Sequence, residues 1–198
     1  VIAPDCTDLE DNTGCIFNSC SSLTNVGLSA EFNKFLWRSF SHCSNLQSFS
    51  PRRLSSSVPG QLFYQCYKLS GKFEFDSCSE IGDNAFYECG ELEEIVAPNA
   101  TSVQASSFYG CKKLTGSIPA DLFSGISGAP ASSMFSYTFY NCTSLTGPAA
   151  RNGDGRFLHE IWPDTTYASN CYKNTKIDGL AYIPKAWGGG AEIYYPFS

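Results

Sequence analysis

The chain is predicted to fold as one elongated solenoid of stacked short coils, and three observations predict it. From Cys20 to Cys43, Cys66 and Cys89 the cysteines recur every 23 residues, then after 22 at Cys111, 31 at Cys142 and 29 at Cys171. Six of them share one frame, Phe-x-x-Cys-x-x-Leu: Phe17/Cys20/Leu23, Phe40/Cys43/Leu46, Phe63/Cys66/Leu69, Phe86/Cys89/Leu92, Phe108/Cys111/Leu114 and Phe139/Cys142/Leu145. With 42% hydrophobic and 16% charged residues in 198, the chain has the composition of a folded domain, because disorder goes with low hydrophobicity and high charge. A unit this short cannot bury its own apolar face and must stack on its neighbours, which aligns Phe, Cys and Leu into three ladders.

Each element follows in order within a single domain, 1–198. Residues 1–16 form an N-terminal cap, where Cys6 and Cys15 flank a short loop and a bridge between them pins an edge that no earlier coil covers. Residues 17–145 carry the regular repeats. A short parallel strand starts after each Leu, since Leu92-x-x-Ile95-x-Ala97 and Leu46-x-x-Phe49 place apolar side chains on one face, with Pro51 and Pro98 ending two of them. Irregular or 3₁₀ turns near each Phe carry the chain back. The long step before Cys142 is assigned to a projecting loop insertion at 124–131, rich in Gly, Ser, Ala and Pro. Residues 146–198 hold a hairpin turning at 151–156 and running on through Trp162, a degenerate last repeat around Cys171 that lacks both Phe and Leu, and a C-terminal cap. Cys78 aligns with Ala100 and is expected to be a buried thiol.

The best-preserved copy reads Ile81-Gly82-Asp83-Asn84-Ala85-Phe86-Tyr87-Glu88-Cys89-Gly90-Glu91-Leu92-Glu93-Glu94-Ile95-Val96-Ala97-Pro98. It resembles the BspA-type leucine-rich repeat, and the resemblance spans about residues 15–185. It implies a leucine-rich-repeat solenoid, an α/β-class superhelix with parallel strands on the concave face and irregular or 3₁₀ turns on the convex face. It also implies a bacterial surface protein that binds host or bacterial partners. The closing segment, through Ile183-Pro184 and Trp187-Gly188-Gly189-Gly190, is also similar to the end of repeat proteins from gut bacteria and their phages.

Little in the sequence supports chemistry. The formal charge of −6 makes nucleic acid and anionic membranes poor partners, no apolar run is long enough to span a bilayer, and Val1-Ile2-Ala3-Pro4 reads as the start of a processed or excised piece. No Cys-x-x-Cys occurs, His42 and His159 are the only histidines, and no phosphate loop or Gly-x-Ser-x-Gly elbow is present, so no metal or cofactor is expected. His42 beside Cys43 is the only suggestive catalytic pair, but adjacent residues on extended backbone point apart. Glu88, Glu91, Glu93 and Glu94 read as a solvated acidic edge, and Asp154 between two glycines as an ordinary turn.

What remains is a non-enzymatic recognition or adhesion module, secreted, cell-surface or virion-associated, contacting a protein or glycan on a cell surface. A phage-tail receptor-binding or decoration domain is the alternative, and a structural subunit of a larger surface assembly the next. Two faces are candidates. Tyr64, Tyr87, Tyr109 and Tyr140 directly follow ladder phenylalanines and line up as a stripe; exposed, they offer flat apolar faces with polar tips, while the simpler reading is a half-buried structural ladder. On the concave face, Lys72, Glu74 and Glu94 stand among Asn25, Ser48, Ser50, Val96 and Ser117. The ladder cysteines Cys20, Cys43, Cys66, Cys89, Cys111 and Cys142 are expected to be reduced and buried.

Overall fold

The computed structural model describes residues 15–27, 35–50, 57–74, 78–97, 100, 102–119, 122–126 and 128–192. Its strands are short: β1 (Asn25–Gly27), β2 (Ser48–Ser50), β3 (Gly71–Glu74), β4 (Glu80–Ile81), β5 (Leu92–Val96) and β6 (Ser102–Val103). β1 pairs in parallel with β2 and β3 with β5, aligning Val26 with Phe49 and Phe73 with Ile95, all four buried. β4 and β6 form a separate parallel pair in which Ile81 meets Val103, and Val58 bridges to Ile81 on the other side. Parallel pairing between segments one repeat apart is what a coiled chain produces, because each strand returns in the same direction.

The turn that follows shows how the coils are joined. N–H groups of Arg38, Phe40 and His42 reach the carbonyls of Gly60, Leu62 and Tyr64 in the next coil at 3.3, 3.0 and 2.7 Å. The intervening Ser39, Ser41 and Cys43 N–H groups bond back three residues to Leu36, Arg38 and Phe40. Gln61, Phe63 and Gln65 repeat the pattern onto Asp83, Ala85 and Tyr87. A backbone that alternates its donors this way must alternate its handedness, and non-glycine residues take positive φ four apart in each coil: Arg38 and His42, Gln61 and Gln65, Asn84 and Glu88. The sequence-based expectation of 3₁₀ turns is corrected to these alternating turns, since a 3₁₀ helix would keep φ negative throughout.

Apolar rungs stack beneath the turns. Phe17, Phe40, Phe63, Phe86, Phe108 and Phe139 follow one another with ring centroids 5.3–5.7 Å apart. Phe17, on the first coil, is half-buried and the later rungs are fully buried. The ladder continues onto Tyr172 at 6.3 Å and ends under Trp187 at 5.5 Å. This corrects the reading of Cys171 as the seventh ladder cysteine. Phe139 N–H donates to Cys171 O just as Phe108 N–H donates to Thr138 O, so Cys171 occupies the place before the rung and Tyr172 is the rung. Thr175 then stands where the cysteine was expected, its hydroxyl donating to Tyr172 O at 2.7 Å.

The insertion differs from expectation too. Leu122, Phe123 and Ile126 are buried, and Ser133, Tyr137 and Asn141 all take positive φ. Part of the added length therefore builds one more alternating turn, whose Phe135 packs against Trp187 at 5.2 Å. After it the chain reverses at 152–156, with Arg151 and Phe157 in an antiparallel bridge and Asn152 Oδ1 accepting from the N–H groups of Asp154 and Arg156. The second arm is not a strand through Trp162: Leu158–Ile161 is a single helical turn, α1, which buries Leu158 and returns Trp162 N–H to Leu158 O.

A cap closes the far end. Two short 3₁₀ turns, Leu180–Tyr182 and Lys185–Trp187, bring the carbonyls of Ala186 and Trp187 to the N–H groups of Asn170 and Tyr172, which have no further coil to bond. Trp187 is fully buried and donates Nε1–H to Trp162 O at 2.7 Å. Gly188 is required behind it: its φ is +90° and a Cβ there would lie 2.5 Å from Lys173 N.

Phe86 is a rung with neighbours on both sides and no exposure. Phe86→Ala is expected to cost about 3–5 kcal/mol in denaturant melts, and a loss under about 1 kcal/mol would show that the rung is not part of the core.

Candidate functional site

The ladder cysteines are structural, and in a more specific way than their size suggests. Cys43, Cys66, Cys89, Cys111 and Cys142 each donate Sγ–H to the carbonyl of the phenylalanine one coil earlier, Phe17, Phe40, Phe63, Phe86 and Phe108, at 3.0–3.2 Å. Burial pushes these thiols up: Cys66, Cys89, Cys111 and Cys142 all lie well above the ordinary range, and Cys171 rises to about 12. None supplies thiolate at neutral pH. Cys43 in particular bonds Phe17 O, whereas His42 Nδ1 pairs with Ser41 Oγ at 2.8 Å, so the adjacent pair forms no dyad. Cys78 is buried and donates to Glu80 O, and Ala100 is likewise buried.

Cys20 has no earlier phenylalanine to donate to, and here the sequence reading is corrected. Cys20 is disulfide-bonded to a partner outside the described residues, while Cys15 is a half-buried free thiol and not half of a Cys6–Cys15 bridge. Cys6 itself lies outside the described residues.

Tyr64, Tyr87, Tyr109 and Tyr140 are brought together as the sequence places them, with centroids 4.8, 4.4 and 4.9 Å apart and planes within 15°. His42 tilts against one end at 5.2 Å, and Tyr137 packs edge-on at the other at 5.7 Å. All four phenols are half-buried. Such stacking consumes the ring faces, so the stripe presents edges and hydroxyls; of its two readings, the half-buried structural ladder agrees with this packing and flat faces open to solvent do not. Burial, aided by Tyr109, Glu88 and Tyr64, pushes the Tyr87 phenol up to about 12 and keeps it a neutral donor.

On the strand side Lys72 Nζ lies 3.5 Å from Glu74 and 3.4 Å from Glu94, a partly exposed triad in which one cation is shared by two carboxylates and one negative charge is left over. Glu94 and Ser117 line a cleft of about 260 Å³. The acidic edge is only partly compensated: Lys113 pairs with Glu91, and Gln65 donates a hydrogen bond to Glu88 at 2.9 Å. Exposed large apolar side chains lie elsewhere. Trp37 is 44% exposed, Tyr67 45% and Tyr137 38%, all on turn segments; Ile16 joins them in the first turn and Tyr182 lies in the C-terminal cap. Sequence reasoning missed these aromatics because they occupy no fixed place in the frame. Tyr67 directly after Cys66 and Tyr137 two residues before Phe139 were the available signals.

Comparison with known families decides what this arrangement belongs to. The profile of the BspA type leucine rich repeat region matches residues 7–116 in 6 copies. The chain belongs to the BspA-type leucine-rich repeat family. Among solved structures it is similar to a leucine-rich repeat protein from Bacteroides ovatus, with a TM-score of 0.53 and 17% identity over 83% of this chain, a likeness in fold. This chain spans 44% of that protein. A search of curated proteins finds no matching relative. Repeats of this type serve interaction at surfaces in general, and no catalytic family is indicated.

Two measurements follow from these sites. Denatured without reductant, the chain is expected to take up eight alkyl groups, Cys15 among them by peptide mapping, and ten after reduction, by intact mass; ten without reductant, or a Cys15 that is alkylated only after reduction, would contradict the assignment. The second concerns His159, which burial lowers below 6.5, Arg151 adding to this and Glu160 opposing it. A lowered folded value means the unfolded chain binds more protons, so stability is complete above about pH 6.5 and falls as pH drops through the folded value. His42, lowered by burial and by Arg38, contributes with the same sign. Melting temperature is expected to fall between about pH 7 and 5.5, less so in His159→Asn, and least in the His42→Asn/His159→Asn double variant.

Proposed function

We propose that this chain is a non-enzymatic adhesion module of a bacterial surface protein, and that it engages a protein partner through its turn face. The single observation that carries this reading is the distribution of exposed aromatics: among the described residues, the repeats place every large exposed apolar side chain on turn segments and none on the strands. Trp and Tyr are enriched where interfaces gain their energy, because they bury large area at small entropic cost and carry a polar tip. The phenol edges of the stripe add hydroxyl donors beside Tyr67 and Tyr137. The strand face, by contrast, spends its charges on one another. Family membership supports a surface location, since repeats of this type are typically found in bacterial surface proteins.

The test places a photo-crosslinking residue at Tyr67 or, separately, at Ser117, identifies a captured protein from a candidate host or bacterial surface, and measures its affinity. Trp37→Ala, Tyr67→Ala and Tyr137→Ala are each expected to weaken binding by about 1–2 kcal/mol, while reversing the charges of Lys72, Glu74 and Glu94 leaves it unchanged. Binding lost on charge reversal and kept in the aromatic variants would move the contact to the strand face.

A further inference from the structure

Beyond the repeats, the C-terminal cap forms an open cavity of about 650 Å³, within the range of pockets that hold small ligands. Its wall joins the reverse turn to the cap: Phe157 and His159 come from one side, and Tyr182, Ile183 and Pro184 from the other. We infer that this cavity is a binding site for a neutral oligosaccharide, distinct from the protein-binding turn face, with Tyr182 as the stacking platform and Glu160 and Asp178 as hydroxyl acceptors.

Four observations carry the assignment. Tyr182 is 87% exposed, the most open large apolar side chain described, and among the described residues no ring contact covers its faces, unlike the stacked stripe. An aromatic face beside a cavity suits the C–H face of a pyranose, which is apolar on one side and hydroxylated at its rim. Glu160 and Asp178 line the same cavity, and neither carboxylate enters an ion pair or side-chain hydrogen bond among the described residues, so both keep their lone pairs for ligand hydroxyls. Glu192 is paired with Lys185.

Charge selects against the other ligand classes. Carboxylates at the rim repel sulfated and uronic-acid glycans, and His159, held neutral by burial, adds no compensating cation. At Phe157 a cationic ligand finds the ring taken, because Arg151 already lies 3.6 Å over it and His159 stacks against it at 5.2 Å, so the oligolysine arm of the test asks whether a cation uses the open Tyr182 face instead.

The test titrates the full chain with neutral hexasaccharides of β-1,4-glucan, α-1,4-glucan, β-1,4-mannan and β-1,4-xylan, with polygalacturonate and an oligolysine peptide alongside, by calorimetry and saturation-transfer NMR. Saturable binding of at least one neutral hexasaccharide is expected at or below about 1 mM. Tyr182→Ala should weaken it at least about tenfold, Asp178→Asn should weaken it also, and Tyr64→Ala, which alters only the turn face, should leave it intact. Tyr182 is mostly solvent-exposed, so its truncation leaves the core in place, and an unchanged melting temperature checks this. The proposal is overturned by absence of binding at about 10 mM for every neutral hexasaccharide, by binding indifferent to Tyr182→Ala, or by salt-sensitive binding of oligolysine alone. None of these outcomes touches the protein-binding reading of the turn face.

Discussion

The structure depends on a left-handed backbone residue placed directly before each ladder cysteine. Ser19, His42, Gln65, Glu88, Gly110 and Asn141 occupy it in successive coils. Positive φ costs a non-glycine residue about 1–3 kcal/mol, and it persists here because it aims alternate N–H groups at the neighbouring coil. The turn is then tight enough that the next residue must be small, and its Sγ–H reaches back to a phenylalanine carbonyl. Bonds therefore run both ways between coils: alternate turn N–H groups point forward, while thiol donors and the N–H groups beside the strands point backward. Phenylalanine stacking fills the space beneath, each aromatic pair contributing about 0.5–1.5 kcal/mol beyond its burial.

Regularity also decides what the surface can offer. Where aromatics fall in register, as in the Tyr64-to-Tyr140 series, they satisfy one another and leave only edges. Where they fall out of register, as at Trp37, Tyr67 and Tyr182, they keep open area. Recognition in such a protein is written in departures from the repeat, because the repeat itself is occupied with cohesion.

Much of this was legible in advance. Leu23, Leu46, Leu69 and Leu92 marked where β1, β2, β3 and β5 begin, through period-two burial after a fixed apolar anchor, whereas the strands expected after Leu114 and Leu145 are not formed, the chain there running through bends at Gly116 and Gly147 with positive φ. The alternating handedness was not legible, because the residues that adopt it, Arg38, His42, Gln65 and Glu88, are imposed on by lateral bonding and not chosen for local preference. Cys171 misled through its identity: a cysteine in about the right place masked a frame shifted onto Tyr172. The disulfide misled for another reason, since spacing does not determine connectivity. In the site, the tyrosine stripe and the Lys72–Glu94 pair were found by register, while Tyr182 and its cavity arise where the repeat stops and carry no periodic signal.

Because every second turn donor points toward the next coil and Trp187 closes the aromatic ladder, the two ends of the stack are chemically different. In its turn, an interior coil presents backbone acceptors on one side and donors on the other, matching the turn of any other interior coil. Length can therefore change by duplication or loss of units between the ends, as in a chain of identical couplings between two unlike fittings. The same polarity forbids a unit from being inserted in reverse, and it gives a lineage of such proteins an inexpensive way to vary reach while both termini stay as they are.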